Sequence, residues 1–246
     1  MTAVTDKVLK KDYFIGFDLV DMNFRLKPST LLNIFQDMAT QSADIMGFGY
    51  ETISSKNLGW FLIKYHIEFS EYPSNTGTYT FVTEPRGVDR MMAMRDFRIY
   101  KDDKCITRAT SSWLLADMAT RSLVSIKDSL NMWAYEKRED DMKFEKIRLP
   151  ETLEYKEEFK VRYEDLDVNK HVNNANYIVW ALESLPYEFR NEHNIKSIDM
   201  YFKREALYGE TIVSSCSIDN QELTSYHSIV NKENGEDLCL LMLRYF

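Results

Sequence analysis

Residues 163–186 read YEDLDVNKHVNNANYIVWALESLP: seven short polar residues (Asp165, Asp167, Asn169, His171, Asn173, Asn174 and Asn176) stand directly ahead of an apolar run. The same order occurs earlier, in FDLVDMNFRLKPSTLLNIFQDMATQSADIMGFG at residues 17–49, where Asp21-x-Asn23-x-Arg25 echoes Asp167-x-Asn169-x-His171. In the earlier copy Leu31, Phe35, Met38 and Ile45 or Met46 fall at helical spacing. Pro28 and Ser29 are start signals and Gly47 and Gly49 are stops, which predicts a helix from about residue 29 to about residue 46. The later copy predicts a helix from about Asn174 to about Leu185.

Each predicted helix is followed by strand-like segments rich in β-branched and aromatic residues. In the first half these are GWFLIKYHIEFS, GTYTFVTEP, MMAMRDFRIYK, CITRATSSWLLAD and SLVSI, separated by turn formers such as YPSNTG and KDDK. In the second half they are IKSIDMYFKRE, ETIVSSCSID, TSYHSIVNK and DLCLLMLRYF, with NKENGED as a hairpin turn. Between them AYEKREDDMKFEKIRLPETLEYKEE is charge-dense and without apolar periodicity, and reads as a linker. The repeat predicts an α+β protein of two units, residues 1–145 and 146–246, each a long helix wrapped by a curved antiparallel sheet: a tandem, or double, hot-dog.

Bulk properties narrow the function. The 246 residues carry 44% hydrophobic and 28% charged side chains, which suits a packed globular chain. With 31 Lys and Arg against 39 Asp and Glu the net charge is -8, and there is no basic run to neutralise nucleic-acid phosphates. Cys105, Cys216 and Cys239 have neither disulfide nor zinc-ligand spacing. No apolar segment approaches the roughly 18 to 20 residues of a membrane span. The N-terminal MTAVTDKVLKKDYF lacks a signal-peptide core and is too acidic for a transit peptide, so the expectation is a soluble cytoplasmic protein.

The polar cluster has a structural and a chemical reading. Asn and Asp are good caps and turn residues, and His171 can serve as an ordinary hydrogen-bonded residue at a helix entrance. A helix needs one cap, however, and seven candidates are present. In extended or turn geometry Asp167, Asn169 and His171 share a side, bringing an acid, an amide and an imidazole to one point. The helix N-terminus behind them suits a developing oxyanion. A second candidate is Glu205 in MYFKREALYGE. Placed mid-sheet it would be a desolvated carboxylate able to act as a base, and at the surface it would pair with Arg204 or Lys203.

The motif DLDVNKHVNNANYIVWALESLP resembles the signature of the fatty acyl-acyl carrier protein thioesterases, the chain-terminating enzymes of fatty acid synthesis. The resemblance extends to TLLNIFQD, YPSNTG, MRDF, TRATSSW and TRSL, and so covers nearly the whole chain from about Tyr13. It implies that the catalytic Asp, Asn and His fall on Asp167, Asn169 and His171, and the catalytic Glu on Glu205 of FKREA. The family's cysteine after that Glu is Ala206 here, so the resemblance implies hydrolysis by activated water rather than by a thiolate. Glu205 and His171 would prepare the water, Asp167 would fix the imidazole or share its proton, and Asn169 with a helix-terminal amide would polarise the carbonyl.

The first half, with Arg25 in place of His171, would carry no second active site. By resemblance it holds the acyl chain, with Phe35, Met38, Met46, Trp60, Met92 and Met94 as candidate walls. The implied partner is acyl carrier protein bearing a fatty acyl chain, approached through scattered cations such as Lys170, Lys203 and Arg204. No metal or organic cofactor is implied. The alternatives are an acyl-coenzyme A thioesterase and a non-catalytic acyl-binding hot-dog protein. Oligomeric state stays open between monomer and homodimer, since two fused units already bury the interface that single units bury by pairing.

Overall fold

The computed structural model describes residues 2–5 and 7–246. Strands β1 (Thr2–Thr5) and β2 (Val8–Ile15) precede helix α1 (Pro28–Ile45) and the short α2 (Tyr50–Ser55). The meander β3 (Leu58–Phe69), β4 (Gly77–Asp89), β5 (Met92–Lys101) and β6 (Lys104–Asp117) follows, and then a five-residue helix α3 (Ile126–Leu130). The second half runs β7 (Tyr155–Lys160), α4 (Asn174–Glu183), α5 (Tyr187–Glu192), β8 (Ile195–Phe202), β9 (Thr211–Asp219), β10 (Thr224–Asn231) and β11 (Asp237–Tyr245).

All eleven strands form one antiparallel sheet in the order β1-β2-β4-β5-β6-β3-β8-β11-β10-β9-β7. The order reads symmetrically outward from the β3–β8 pair, whose register runs from Lys64 opposite Tyr201 to Glu68 opposite Ser197. The halves therefore meet edge to edge, each closing the other's open strand. One face of this sheet wraps the two long helices, which pack on each other. Helix α1 buries Leu31, Leu32, Ile34, Phe35, Met38 and Ala39, the apolar stripe its spacing predicts. Phe35 stacks on Phe97 of β5 at 4.4 Å between ring centroids. Helix α4 buries Tyr177, Ile178, Trp180, Ala181 and Leu182 in the same way.

The structure departs from the sequence expectation in several elements. SLVSI is not a strand: Leu123 makes a single bridge to Ala116, and Ser125 then caps α3 by accepting from the Asp128 amide. Strands β1, β2 and β7 and the short helices α2 and α5 were not expected, and β7 begins inside the stretch read as linker. Its YKEEFK is exposed at almost every position because it edges the sheet, and so it shows no apolar alternation. The rest of the linker is a strap held to the sheet by charge: Arg138 pairs with Glu84 at 2.6 Å, Arg86 with Asp141 at 2.9 Å and Arg108 with Asp140 at 3.2 Å.

At the β3–β8 seam, His66 Nδ1 meets the carboxylate of Asp199 at 2.7 Å, Asp199 being fully buried, and Nε2 meets Glu68 at 3.1 Å. Burial opposes the charged imidazole, but the bonds to Asp199 and Glu68 outweigh it and hold the pKa above the ordinary histidine value. A raised native pKa means that the contribution is complete below the unfolded value and is lost as pH rises through the native one. Urea unfolding across neutral to mildly alkaline pH should show wild type losing stability relative to His66→Gln. Parallel curves would remove His66 from the seam's energetics.

Candidate active site

The segment ahead of α4 divides the seven polar residues between structure and chemistry. Asn173 is the N-cap, accepting from the Ala175 amide at 2.9 Å. The Asp165 carboxylate is buried and accepts from the Arg162 amide at 2.8 Å, while its carbonyl receives Asn176 Nδ2 at 2.8 Å. Asp167 folds a tight hairpin: its Oδ1 accepts from the amides of Asn169 at 2.8 Å and His171 at 3.3 Å, and its own amide donates to the His171 carbonyl at 2.7 Å. Asp21 does the same for Asn23 and Arg25, at 2.8 and 2.9 Å. Both hairpins hold the fourth residue left-handed, Phe24 at φ 60° and Lys170 at φ 66°. The motif shared by the two halves is thus first a backbone device.

What differs is the side chain the hairpin delivers. His171 is locked by the hydrogen bond its backbone amide donates to Asp167 and by a β-bridge to Leu207, and its Nδ1 lies 2.9 Å from Glu205 Oε1. The expected contact between the Asp167 carboxylate and the imidazole is not made: Oδ1 is engaged by backbone amides and Oδ2 faces the Asn169 side-chain amide at 3.4 Å. Glu205 is the imidazole's partner. Nor is Glu205 mid-sheet: β8 ends at Phe202, and the segment after it turns where Lys203 and Arg204 both donate to the Leu238 carbonyl. The expected surface pairs go elsewhere, Lys203 to Asp237 and Arg204 to Glu236, at 2.7 and 3.3 Å.

The Glu205 side chain is 37% exposed and that of His171 12%, with Arg121 at 3.6 Å from the other Glu205 oxygen. Partial burial raises the Glu205 pKa, aided by the nearby negative charge of Asp167 and opposed by His171 and Arg121. The Tyr177 hydroxyl of α4 accepts from the buried amide of Ala206 at 3.1 Å and so fixes the turn that carries Glu205. Cys216 and Cys239 are buried, and burial raises both thiols, as inert core cysteines require. Among the described residues there is no group of three His, Cys, Asp or Glu placed to hold a metal.

Asp167, Asn169, His171 and Glu205 all line one end of a cavity of about 670 Å³. Its remaining wall comes from the first half: Ala39 and Ala43 of α1, Phe48, Ile53 of α2, Trp60, Met94, Trp113 and Met132. Of the expected acyl walls Trp60 and Met94 line it, whereas Phe35 and Met38 lie in the core. The first turn of α4, expected to offer an oxyanion amide, does not line it; Asn169 does, with its Nδ2 3.4 Å from Asp167 Oδ2. Sequence reasoning missed Val168 and Arg95 in the lining; both sit in motifs already quoted.

The related position in the other half is a 230 Å³ cavity lined by Asp21, Arg25, Tyr72, Arg190 and His193. There Arg25 reaches across and donates to the carbonyls of Arg190 and His193 at 3.2 and 2.9 Å, and Asn23 bonds to Asn191 at 2.7 Å. Tyr72 stands where Glu205 does, its hydroxyl donating to the Leu26 carbonyl at 2.8 Å. The echo is smaller than the cavity at His171 and is bridged by its own side chains.

A continuous antiparallel sheet wrapped round two long helices, with the polar turn of one half over the cavity of the other, defines the double hot-dog class. Residues 6–132 match the family model for the acyl-ACP thioesterase N-terminal domain and residues 150–245 that for the acyl-ACP thioesterase C-terminal domain, so the chain belongs to the acyl-acyl carrier protein thioesterase family. It is 26% identical to an oleoyl-acyl carrier protein thioesterase of Coriandrum sativum, over 90% of this chain and 65% of that protein. An Arabidopsis thaliana oleoyl-acyl carrier protein thioesterase is 29% identical over 85% of this chain and 61% of its own length. The chain thus spans less than two thirds of either relative.

Among solved structures, an acyl-ACP thioesterase of Bacteroides thetaiotaomicron superposes with a TM-score of 0.86 at 25% identity, over 98% of both chains. The 12:0-ACP thioesterase of Umbellularia californica shares the fold, with a TM-score of 0.86 at 21% identity over 99% of both chains.

Tyr177→Phe strands the Ala206 amide in the core. We expect a loss of about 1 to 3 kcal/mol in denaturant unfolding, together with a drop in any turnover that depends on Glu205. Unchanged stability would mean that the amide finds another partner.

Proposed function

We propose that the chain hydrolyses the thioester of fatty acyl-acyl carrier protein, releasing free fatty acid and ending elongation, with water rather than cysteine as nucleophile. The observation that carries the reading is the His171–Glu205 pair in the wall of a mostly apolar cavity of about 670 Å³. Residues 1–145 hold the acyl chain in this reading, and residues 146–246 supply Asp167, Asn169, His171 and Glu205. Both parts of the site come from one chain, so the reaction needs no homodimer.

With Nδ1–H donated to Glu205, His171 Nε2 is the basic nitrogen and takes a proton as water attacks the thioester carbon. Glu205 orients the ring and offsets the imidazolium charge. The developing oxyanion faces the Asn169 amide group. Collapse breaks the carbon–sulfur bond, and the imidazolium returns its proton to the departing sulfur, leaving a carboxylic acid and the free thiol. Asp167 acts at one remove, by shaping the turn that presents Asn169 and His171.

Of the cations near the site, Lys203 and Arg204 are paired with Asp237 and Glu236 and Arg121 with Glu205, so Lys170 carries the attraction to an acidic carrier protein in this reading. The three free cysteines suit a reducing cytoplasm.

Thiol release from matched acyl-carrier protein and acyl-coenzyme A esters tests the reading. His171→Ala should lower kcat by about 10³-fold and Glu205→Gln by about 10²-fold, both with little change in KM. Equal losses would make Glu205 the base. A preference for coenzyme A esters would transfer the substrate class, and turnover indifferent to His171 would end the catalytic assignment.

A further inference from the structure

Among the described residues that line the cavity, Met132 is the one supplied by the strap of residues 131–154, the segment that joins the two halves. Asn131, left-handed at φ 51°, ends α3 and turns the chain inward. Met132 is only 7% exposed and belongs to one apolar cluster with Ala43, Phe48, Ile53, Val88 and Ala93.

The strap is seated here by β4. Strand β2 pairs with β4 only as far as Thr83, which leaves the edge of residues 84–89 open. The strap takes that edge: the Val88 amide donates to the Trp133 carbonyl and the Tyr135 amide to the Val88 carbonyl, both at 3.0 Å. Gly87, at φ +94°, permits the close approach, since a Cβ there would stand 2.8 Å from the Ala134 carbonyl oxygen and from the Trp133 ring. Trp133 in turn meets Phe48 edge to face at 6.4 Å between ring centroids, with Lys7 Nζ 3.8 Å over its ring. Met132 therefore stands on a backbone that is bonded to the sheet and cannot withdraw freely.

Its position along the sheet gives it a role. From β3 a cross-strand row runs Leu62 to Trp113 to Ala93 to Val88 and ends at Ala134 of the strap. Four strand spacings of about 4.8 Å put the strap roughly 19 Å from β3 along the curved sheet. Glu205 lies on the opposite side, on the chain leaving β8, the other neighbour of β3.

We propose that Met132 is a chain-length determinant, the stop against which the terminal methyl of the fatty acyl chain rests when the thioester carbon lies at His171. The inference rests on the hydrolytic reading above. A chain too short leaves the thioether arm facing a void and forfeits its contacts. A chain too long drives its end into close-packed strap and sheet.

The test is a series of straight-chain saturated acyl-carrier protein esters, assayed with wild type, Met132→Leu, Met132→Ala and Met132→Phe. Met132→Leu, which nearly conserves volume, should keep the wild-type optimum. Met132→Ala should move the optimum about two methylenes longer and raise kcat/KM for that longer ester by about tenfold over wild type, with the short esters little changed. Met132→Phe should move it about one methylene shorter. An optimum that stays in place in both variants, or a parallel loss at every length, would overturn the proposal. If Met132→Phe does not fold, graded lengthening from Met132→Val to Met132→Ala decides it, an unmoved optimum again being the overturning result. Free saturated fatty acids of the same lengths supply a readout without turnover: the length that raises Tm most should lengthen in Met132→Ala. That shift without hydrolysis of any ester would sink the hydrolytic reading and leave Met132 as the stop of an acyl-binding cavity, whereas turnover with an unmoved optimum sinks this inference alone.

Discussion

The pairing of β3 with β8 is the contact on which everything else depends. It turns two short, open sheets into one, and a five-residue ladder fixes the position of each half against the other. Because the cavity wall belongs to the first half and the polar turn to the second, a slip of one residue along this seam would move Glu205 and His171 off the cavity and flip the side chains of β8 to the other face. The buried Asp199 favours this register: besides Arg244 of β11 at 3.6 Å, it bonds His66 across the seam, and a slip would take that bond from a fully buried carboxylate.

The architecture was legible because it is written twice. Two apolar runs at helical spacing, each behind the same Asp-x-Asn hairpin, locate α1 and α4 to within about two residues at each end. What the sequence concealed were elements whose stability comes from elsewhere. The edge strand β7 buries only part of Phe159, which stacks on Trp180, and the strap of residues 131–154 is ordered by ion pairs to side chains distant in sequence. Neither leaves a periodic trace.

At the site, residue types were legible and partnerships were not. His171 and Glu205 stood out as candidates, but the sequence could not say that a segment 34 residues further on would bring Glu205 to Nδ1 while Asp167 turned to the backbone. Spacing within a turn reports which residues share a side. It does not report which of them the fold consumes in making the turn. The comparison of the two hairpins resolves this, because Asp21 performs the same backbone task in a half where Arg25 replaces the histidine.

That replacement has a meaning beyond its hydrogen bonds. In a symmetric assembly of identical subunits, any side chain that blocks one pocket blocks all of them, so each copy must keep its cavity open and bear the loss of packing. Joining two copies in one chain breaks that equivalence. Arg25 and Asn23 can bond across the smaller cavity, of about 230 Å³, to brace the molecule while its counterpart stays open at about 670 Å³, and stability and function are then free to diverge between halves built on the same plan.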